Sequence, residues 1–119
     1  MMGHEDRTEQ TEQRTEVLDR IAEFRSQIDA IDEQLVRLLN ERARWALGLG
    51  SLKESIGQEI YQPDREIAVL EHARRVNGGP LLESAITRLF ERIIDENRRL
   101  ERCADSREVE DTPEPHRRR

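Results

Sequence analysis

Two basic residues share one face of a predicted helix, and the first of them stands where the helical pattern calls for an apolar side chain. Arg42 continues a series of apolar residues spaced three and four apart, between Leu38 and Trp45. A guanidinium in a helix seam is costly without a partner, so we expect an anion to meet it. Lys53 lies eleven residues later, within about 20° of the same helix face and about 16 Å further along the axis. The two side chains could therefore bracket a small dianion.

A third basic residue, Arg25, precedes this pair. It lies about 100° round the helix from Arg42 and roughly 25 Å away, so it cannot serve the same pocket within one chain. In a two-fold dimer it could reach the pocket of the other chain, which makes it a candidate for donation in trans. The alternative is an ordinary surface arginine.

Polar residues also lie beside the apolar faces of two later segments. Asn97 and Glu101 are four residues apart next to an apolar stripe, and they are predicted to line a pocket. The alternative is that the helix simply ends in solvent. Glu66 lies four residues from Leu70, on the inward side, and its carboxylate could accept a hydroxyl proton. Asp64 is predicted to be no more than a favourable acid in a first helical turn.

The apolar pattern predicts the elements that position these side chains. Apolar residues recur at steps of three and four from Ile21 to Leu52, which indicates one long amphipathic helix with heptad character. At about 35 residues this helix would be about 50 Å long. A short second helix is predicted from about Pro63 to Val76, and a third helix after the stop signal at 77–80.

Two glycines interrupt the long helix. Gly48 and Gly50 each cost roughly 1 kcal/mol relative to alanine in a helix interior. They mark either close packing against another helix or a local weakness.

Length and composition limit the size of the core. The chain has 119 residues, a formal charge of −6, 39% charged residues and 34% hydrophobic residues. This composition favours either disorder or a thin helical assembly. Residues 1–16 and 105–119 lack periodicity and are predicted to be a disordered arm and tail around one helical domain at 17–104. Three helices cannot cover the long first helix, so a partner is predicted, most simply a second copy. A coiled-coil dimer without chemistry is the alternative.

Several classes of function are disfavoured. An acidic chain with few aromatic residues lacks the positive field and stacking platforms of nucleic-acid binders. One cysteine and three histidines without ligand spacing argue against a metal site. Neither a bilayer-spanning apolar run nor a signal peptide is apparent, so we expect a cytoplasmic protein with no membrane partner. The absence of a phosphate loop or dinucleotide fingerprint disfavours cofactor chemistry.

Taken in order, these motifs resemble the all-helical chorismate mutases, which occur alone or fused to prephenate dehydratase and related enzymes. The similarity covers about residues 18–102. It rests on the runs Arg25-Ser26-Gln27-Ile28-Asp29-Ala30-Ile31-Asp32, Leu38-Leu39-Asn40-Glu41-Arg42, Lys53, Pro63-Asp64-Arg65-Glu66, Asn77-Gly78-Gly79-Pro80-Leu81 and 86–94.

The resemblance implies an all-α fold with three helices per chain in an intertwined homodimer. Each pocket would take one arginine, Arg25, from the other chain. It also implies the substrate chorismate, a dicarboxylate with an enol ether and a ring hydroxyl. The reaction would be the pericyclic rearrangement to prephenate in phenylalanine and tyrosine biosynthesis, without a cofactor.

The resemblance also implies a role for each polar residue of the pocket. Arg42, with Arg25 from the other chain, would hold the carboxylates, and Asn97 would help at one of them. Lys53 would meet the ether oxygen as negative charge develops there, with Glu101 placed opposite.

The ring hydroxyl would be met by Glu66 and the Gln62 region, while Arg65 would order that loop or touch the ligand at longer range. Gln62 stands where many family members have Asp, and Asn97 replaces the more usual Ser or Thr. Glu101 stands where members have either Gln or Glu. A carboxyl group donates to an ether oxygen only while protonated, so the rate is predicted to fall as pH rises.

Two other functions fit the same sequence. An isochorismate pyruvate lyase would use the same fold and nearly the same pocket but release pyruvate and salicylate. A helical binding module would be either a coiled-coil scaffold or a mutase-like subunit that docks on another shikimate-pathway enzyme and gains activity from it.

Overall fold

The structure is a computed structural model that describes the backbone of residues 2–108 and the side chains of residues 6–104. Three helices follow in the order α1 (Met2–Ser55), α2 (Pro63–Val76) and α3 (Glu83–Glu108), and no strand occurs within 2–108. The predicted all-α class with one long, one short and one medium helix is confirmed. The chain divides into two compact units, Met1–Leu38 and Leu39–Arg119.

The first unit contains the beginning of α1, which starts at Met2 rather than near Ile21. Residues 2–16 are therefore helical and not a disordered arm. The segment has no apolar face to bury, but it is rich in Glu, Gln and Arg, which have high helix propensity. The hydroxyls of Thr11 and Thr15 donate to carbonyls four residues earlier, at 2.8 and 3.0 Å, and so do not compete with the helix.

The apolar residues of this unit have the helical spacing that the sequence predicts. Each is between 40% and 61% exposed in the single chain. We refer to them as the α1 stripe: Ile21, Phe24, Ile28, Ile31, Leu35 and Leu38.

In the second unit, α1 ends in a Schellman turn. The Gln58 amide donates to the Lys53 carbonyl at 2.8 Å, and the Gly57 amide donates to the Glu54 carbonyl at 3.1 Å. Gly57 has a φ of +77°, in the left-handed region that favours glycine. The chain then enters α2 through Gln62, which is extended, and Pro63, which suits the first helical turn.

Helices α2 and α3 pack against each other and contain the best-buried apolar side chain, Ala73, at 5% exposure. Arg74 on α2 donates to the Thr87 hydroxyl on α3 at 3.1 Å. In the connecting turn, Asn77 Nδ2 donates to the Leu81 carbonyl at 2.8 Å. The predicted stop and restart at 77–80 therefore lies where one helix ends before the next begins.

Helix α3 extends to Glu108 and so includes the first four residues of the predicted C-terminal tail. The rest of that predicted tail, 109–119, lies outside the described residues. Within the described part of the chain, none of the three helices combines the length and apolar content needed to cross a bilayer.

The turn after α1 generates a stability prediction. Gly57→Ala should lower the free energy of unfolding by about 1 kcal/mol, because a Cβ disfavours the left-handed conformation. Gly57→Asn should lower the free energy of unfolding by less than half as much, since asparagine tolerates that conformation better. Urea unfolding at matched protein concentration measures both. Equal losses in the two variants would show that the positive φ is not the cause.

Candidate active site

A cavity of about 270 Å³ opens in the second unit between the end of α1, the α1–α2 connection, α2 and α3. Seven of the eight predicted site residues line it: Arg42, Lys53, Gln62, Arg65, Glu66, Asn97 and Glu101. The eighth, Arg25, is an exposed residue of the first unit. We call this cavity the α1–α3 pocket.

Arg42 is half-buried on α1, and its Nη1 donates to Asn97 Oδ1 on α3 at 2.5 Å. Burial lowers the pKa of Arg42, and the positive charge of Arg65 lowers it further. The amide oxygen is a neutral acceptor, so this bond leaves the guanidinium charge uncompensated. An anion bound in the pocket would offset both the desolvation of Arg42 and its repulsion from Arg65.

Lys53 is also half-buried, and its Nζ donates to the Ile60 carbonyl at 3.1 Å. The Schellman turn brings the chain back past the end of α1, which places that carbonyl within reach. An ammonium group has three donors, so a ligand can be met by those that remain. Arg42 and Lys53 line the same pocket, as their shared helix face predicts.

Glu66 forms an ion pair with Arg98 on α3, with side-chain exposures of 27% and 25%. The Arg98 guanidinium also lies over the ring of Tyr61, with its Cζ 4.9 Å from the ring centroid. Arg98 thus connects α3, α2 and the α1–α2 connection at the pocket wall. It holds the Glu66 carboxylate on that wall.

A family model described as chorismate mutase type II matches residues 24–102. This chain belongs to the type II chorismate mutase family. The match covers the end of the first unit and almost all of the described second unit, including every residue that lines the α1–α3 pocket.

Individual relatives agree with this membership. A bifunctional chorismate mutase/prephenate dehydratase from Neisseria gonorrhoeae is 42% identical over 78 residues, which are 66% of this chain and 21% of that protein. A chorismate mutase from Methanocaldococcus jannaschii is 26% identical over 87 residues, covering 72% of this chain and 88% of that protein. The chain thus spans about a fifth of the length of the bifunctional relatives that it matches.

A solved structure has the same fold. Chorismate mutase (form II) from Thermus thermophilus superposes with a TM-score of 0.68 and is 32% identical. The match covers 70% of this chain and 94% of that one.

Gln62 and Asn97, which the sequence comparison by resemblance gave as departures from the family pattern, each have hydrogen-bond partners in the structure. Gln62 directs its side-chain amide to Gln58 Oε1 at 3.4 Å, while its backbone carbonyl accepts from the Glu66 amide at 3.2 Å. Asn97, the other, supplies the acceptor for Arg42. The side-chain oxygen of a shorter serine or threonine would extend less far from α3.

The sequence pattern does not point to Arg98, which lines the pocket, or to Tyr61, whose ring lies against Arg98. Arg98 directly follows Asn97 and lies three residues before Glu101, and this proximity is the one signal that the sequence carries. Its partners are far away in the sequence. Among the described side chains, no group of three or more acidic, histidine or cysteine residues is arranged to hold a metal ion.

Proposed function

We propose that this protein converts chorismate to prephenate in aromatic amino acid biosynthesis. The observation that carries the proposal is the pair of arginines, Arg42 and Arg65, whose like charges repel at one pocket in a type II chorismate mutase chain. A dicarboxylate is the class of ligand that relieves this repulsion. Lys53 supplies a further cation in the same pocket.

The reaction needs orientation and charge stabilisation rather than a covalent intermediate. The ether C–O bond breaks while a C–C bond forms within one molecule, and negative charge develops on the ether oxygen. Arg42, held by Asn97, would anchor a substrate carboxylate and so restrict the substrate to a reactive conformation. Lys53, and Glu101 while its carboxyl group is protonated, would donate to the ether oxygen where the charge develops.

The other end of the substrate carries the ring hydroxyl. The Glu66 carboxylate, held by Arg98, would accept from this hydroxyl, and the Gln62 backbone lies one helical turn away. Arg65 is exposed at the pocket edge, where it would attract the substrate and order the α2 end of the site.

The chain would work as a homodimer with Arg25 donated in trans. Support comes from the α1 stripe, whose side chains are 40% to 61% exposed in one chain and have the spacing of a helix seam. A second copy of the same stripe would cover it. Arg25 lies next to Phe24 in this stripe, so pairing would bring it to the other chain.

The proposal is tested by following loss of the chorismate enol-ether absorbance and identifying the product. Arg42→Ala should lower kcat/KM by at least about 100-fold, because the carboxylate loses its anchor. Arg44→Ala, an exposed arginine on the same helix, should stay within about twofold of the wild type. Urea midpoints show whether both variants are folded.

Arg42→Ala with full activity would contradict the assigned role. A wild-type protein that does not turn over chorismate would contradict the proposed function. Pyruvate and salicylate formed from isochorismate would favour the lyase in its place.

The protonation of Glu101 generates a pH prediction. A neutral carboxyl group donates to the ether oxygen and an ionised one does not, so kcat/KM should fall as pH rises. Glu101→Gln keeps an amide donor at every pH and should flatten that dependence. Steady-state rates from about pH 5 to about pH 9 measure both profiles. The same profile in the two proteins would remove this role from Glu101.

Donation of Arg25 in trans is testable by mixing two inactive variants. When Arg25→Ala and Arg42→Ala chains are unfolded and refolded together, half of the dimers should be mixed. Each mixed dimer would contain one intact pocket, so about one quarter of wild-type activity should return. A tag on one chain measures the mixed fraction. Mixed dimers without activity would show that Arg25 does not act across the dimer.

A further inference from the structure

Gly50 is buried on α1 and faces the end of the Glu101 side chain on α3. A Cβ at position 50 would lie 2.7 Å from Glu101 Oε2, and 3.4 and 3.5 Å from Cδ and Cγ. Cβ atoms essentially never approach another atom within 3.0 Å. The Glu101 carboxylate therefore lies in space that any other residue at position 50 would fill.

Helix formation does not explain this glycine. Alanine favours a helix interior over glycine, so α1 would gain from alanine at position 48 and at position 50 alike. At Gly48 an added Cβ would meet nothing within 4 Å. The two glycines therefore differ in one respect that bears on the site, which is the contact with Glu101.

We propose that Gly50 is a positioning residue that determines where the Glu101 carboxylate sits in the α1–α3 pocket. The proposal rests on the proposed function, because it concerns the acid that faces the ether oxygen. With alanine at position 50, Oε2 would move from 2.7 Å to an ordinary contact of 3.4 Å, a shift of about 0.7 Å. The end of a glutamate side chain moves more easily than two helices, so the carboxylate would shift and the fold would remain.

The test compares chorismate turnover by the wild type, Gly50→Ala and Gly48→Ala. Gly50→Ala should lower kcat roughly 10- to 100-fold, because small misplacements of a catalytic group are costly. Its KM should change less than about threefold, since Arg42 is unaffected. Gly48→Ala should keep kcat within about twofold and raise the urea midpoint.

Changes at Glu101 separate a steric effect from a general disturbance. Glu101→Asp shortens the side chain and removes the clash, so adding Gly50→Ala to this variant should lower its kcat by less than about twofold. Glu101→Gln keeps the length of the side chain, so adding Gly50→Ala to this variant should lower its kcat by the same factor as in the wild type. An equal loss in all three backgrounds would overturn the inference.

The remaining outcomes are distinct. If Gly50→Ala is as active as Gly48→Ala, the inference is overturned and the proposed function stands. A Gly50→Ala chain that does not fold also overturns it, because the inference requires the carboxylate to move and the helices to stay. A folded wild type that does not convert chorismate overturns the proposed function and this inference with it.

Discussion

The site depends on a half-buried positive charge that is hydrogen-bonded to a neutral amide and repelled by a second arginine. Arg42 is partly removed from water and lies close enough to Arg65 for the second charge to lower its pKa. Its hydrogen bond to Asn97 orients the guanidinium without cancelling the charge. Such a group costs folding free energy, and a bound anion offsets that cost. The unfavourable electrostatics of the pocket would therefore favour binding of the dicarboxylate proposed as substrate.

The turn at the end of α1 positions charged side chains of the pocket. The Schellman turn stops the helix just after Lys53 and brings the Ile60 carbonyl to its ammonium group. The next residue, Tyr61, lies under Arg98, which also pairs with Glu66. The turn after α1 and the single arginine Arg98 on α3 thus position residues on two sides of the pocket. A change in the turn or at Arg98 would therefore disturb both sides.

The single chain has little buried apolar surface. Among the side chains of residues 6–104, Ala73 is the best-buried apolar one, while the α1 stripe is exposed along the first unit. A thin helical chain of this composition would gain stability if a second copy covered that stripe, as the proposed homodimer requires. In such a dimer the surface that completes the core would also deliver Arg25, so assembly and activity would be coupled.

Residue type and spacing determined the helical class, the three helices and five of the predicted pocket residues, because spacing along a helix decides which side chains share a face. Gln62 and Arg65 were predicted only through the resemblance to the chorismate mutase family. The start of α1 was not predictable from the apolar pattern, since 2–16 is helical through propensity and not through burial. Only the tertiary structure decided the partners: Asn97 for Arg42, Arg98 for Glu66, and Gly50 beneath Glu101. Members of each pair lie on different helices and meet only when those helices pack, and sequence periodicity carries no information about that packing.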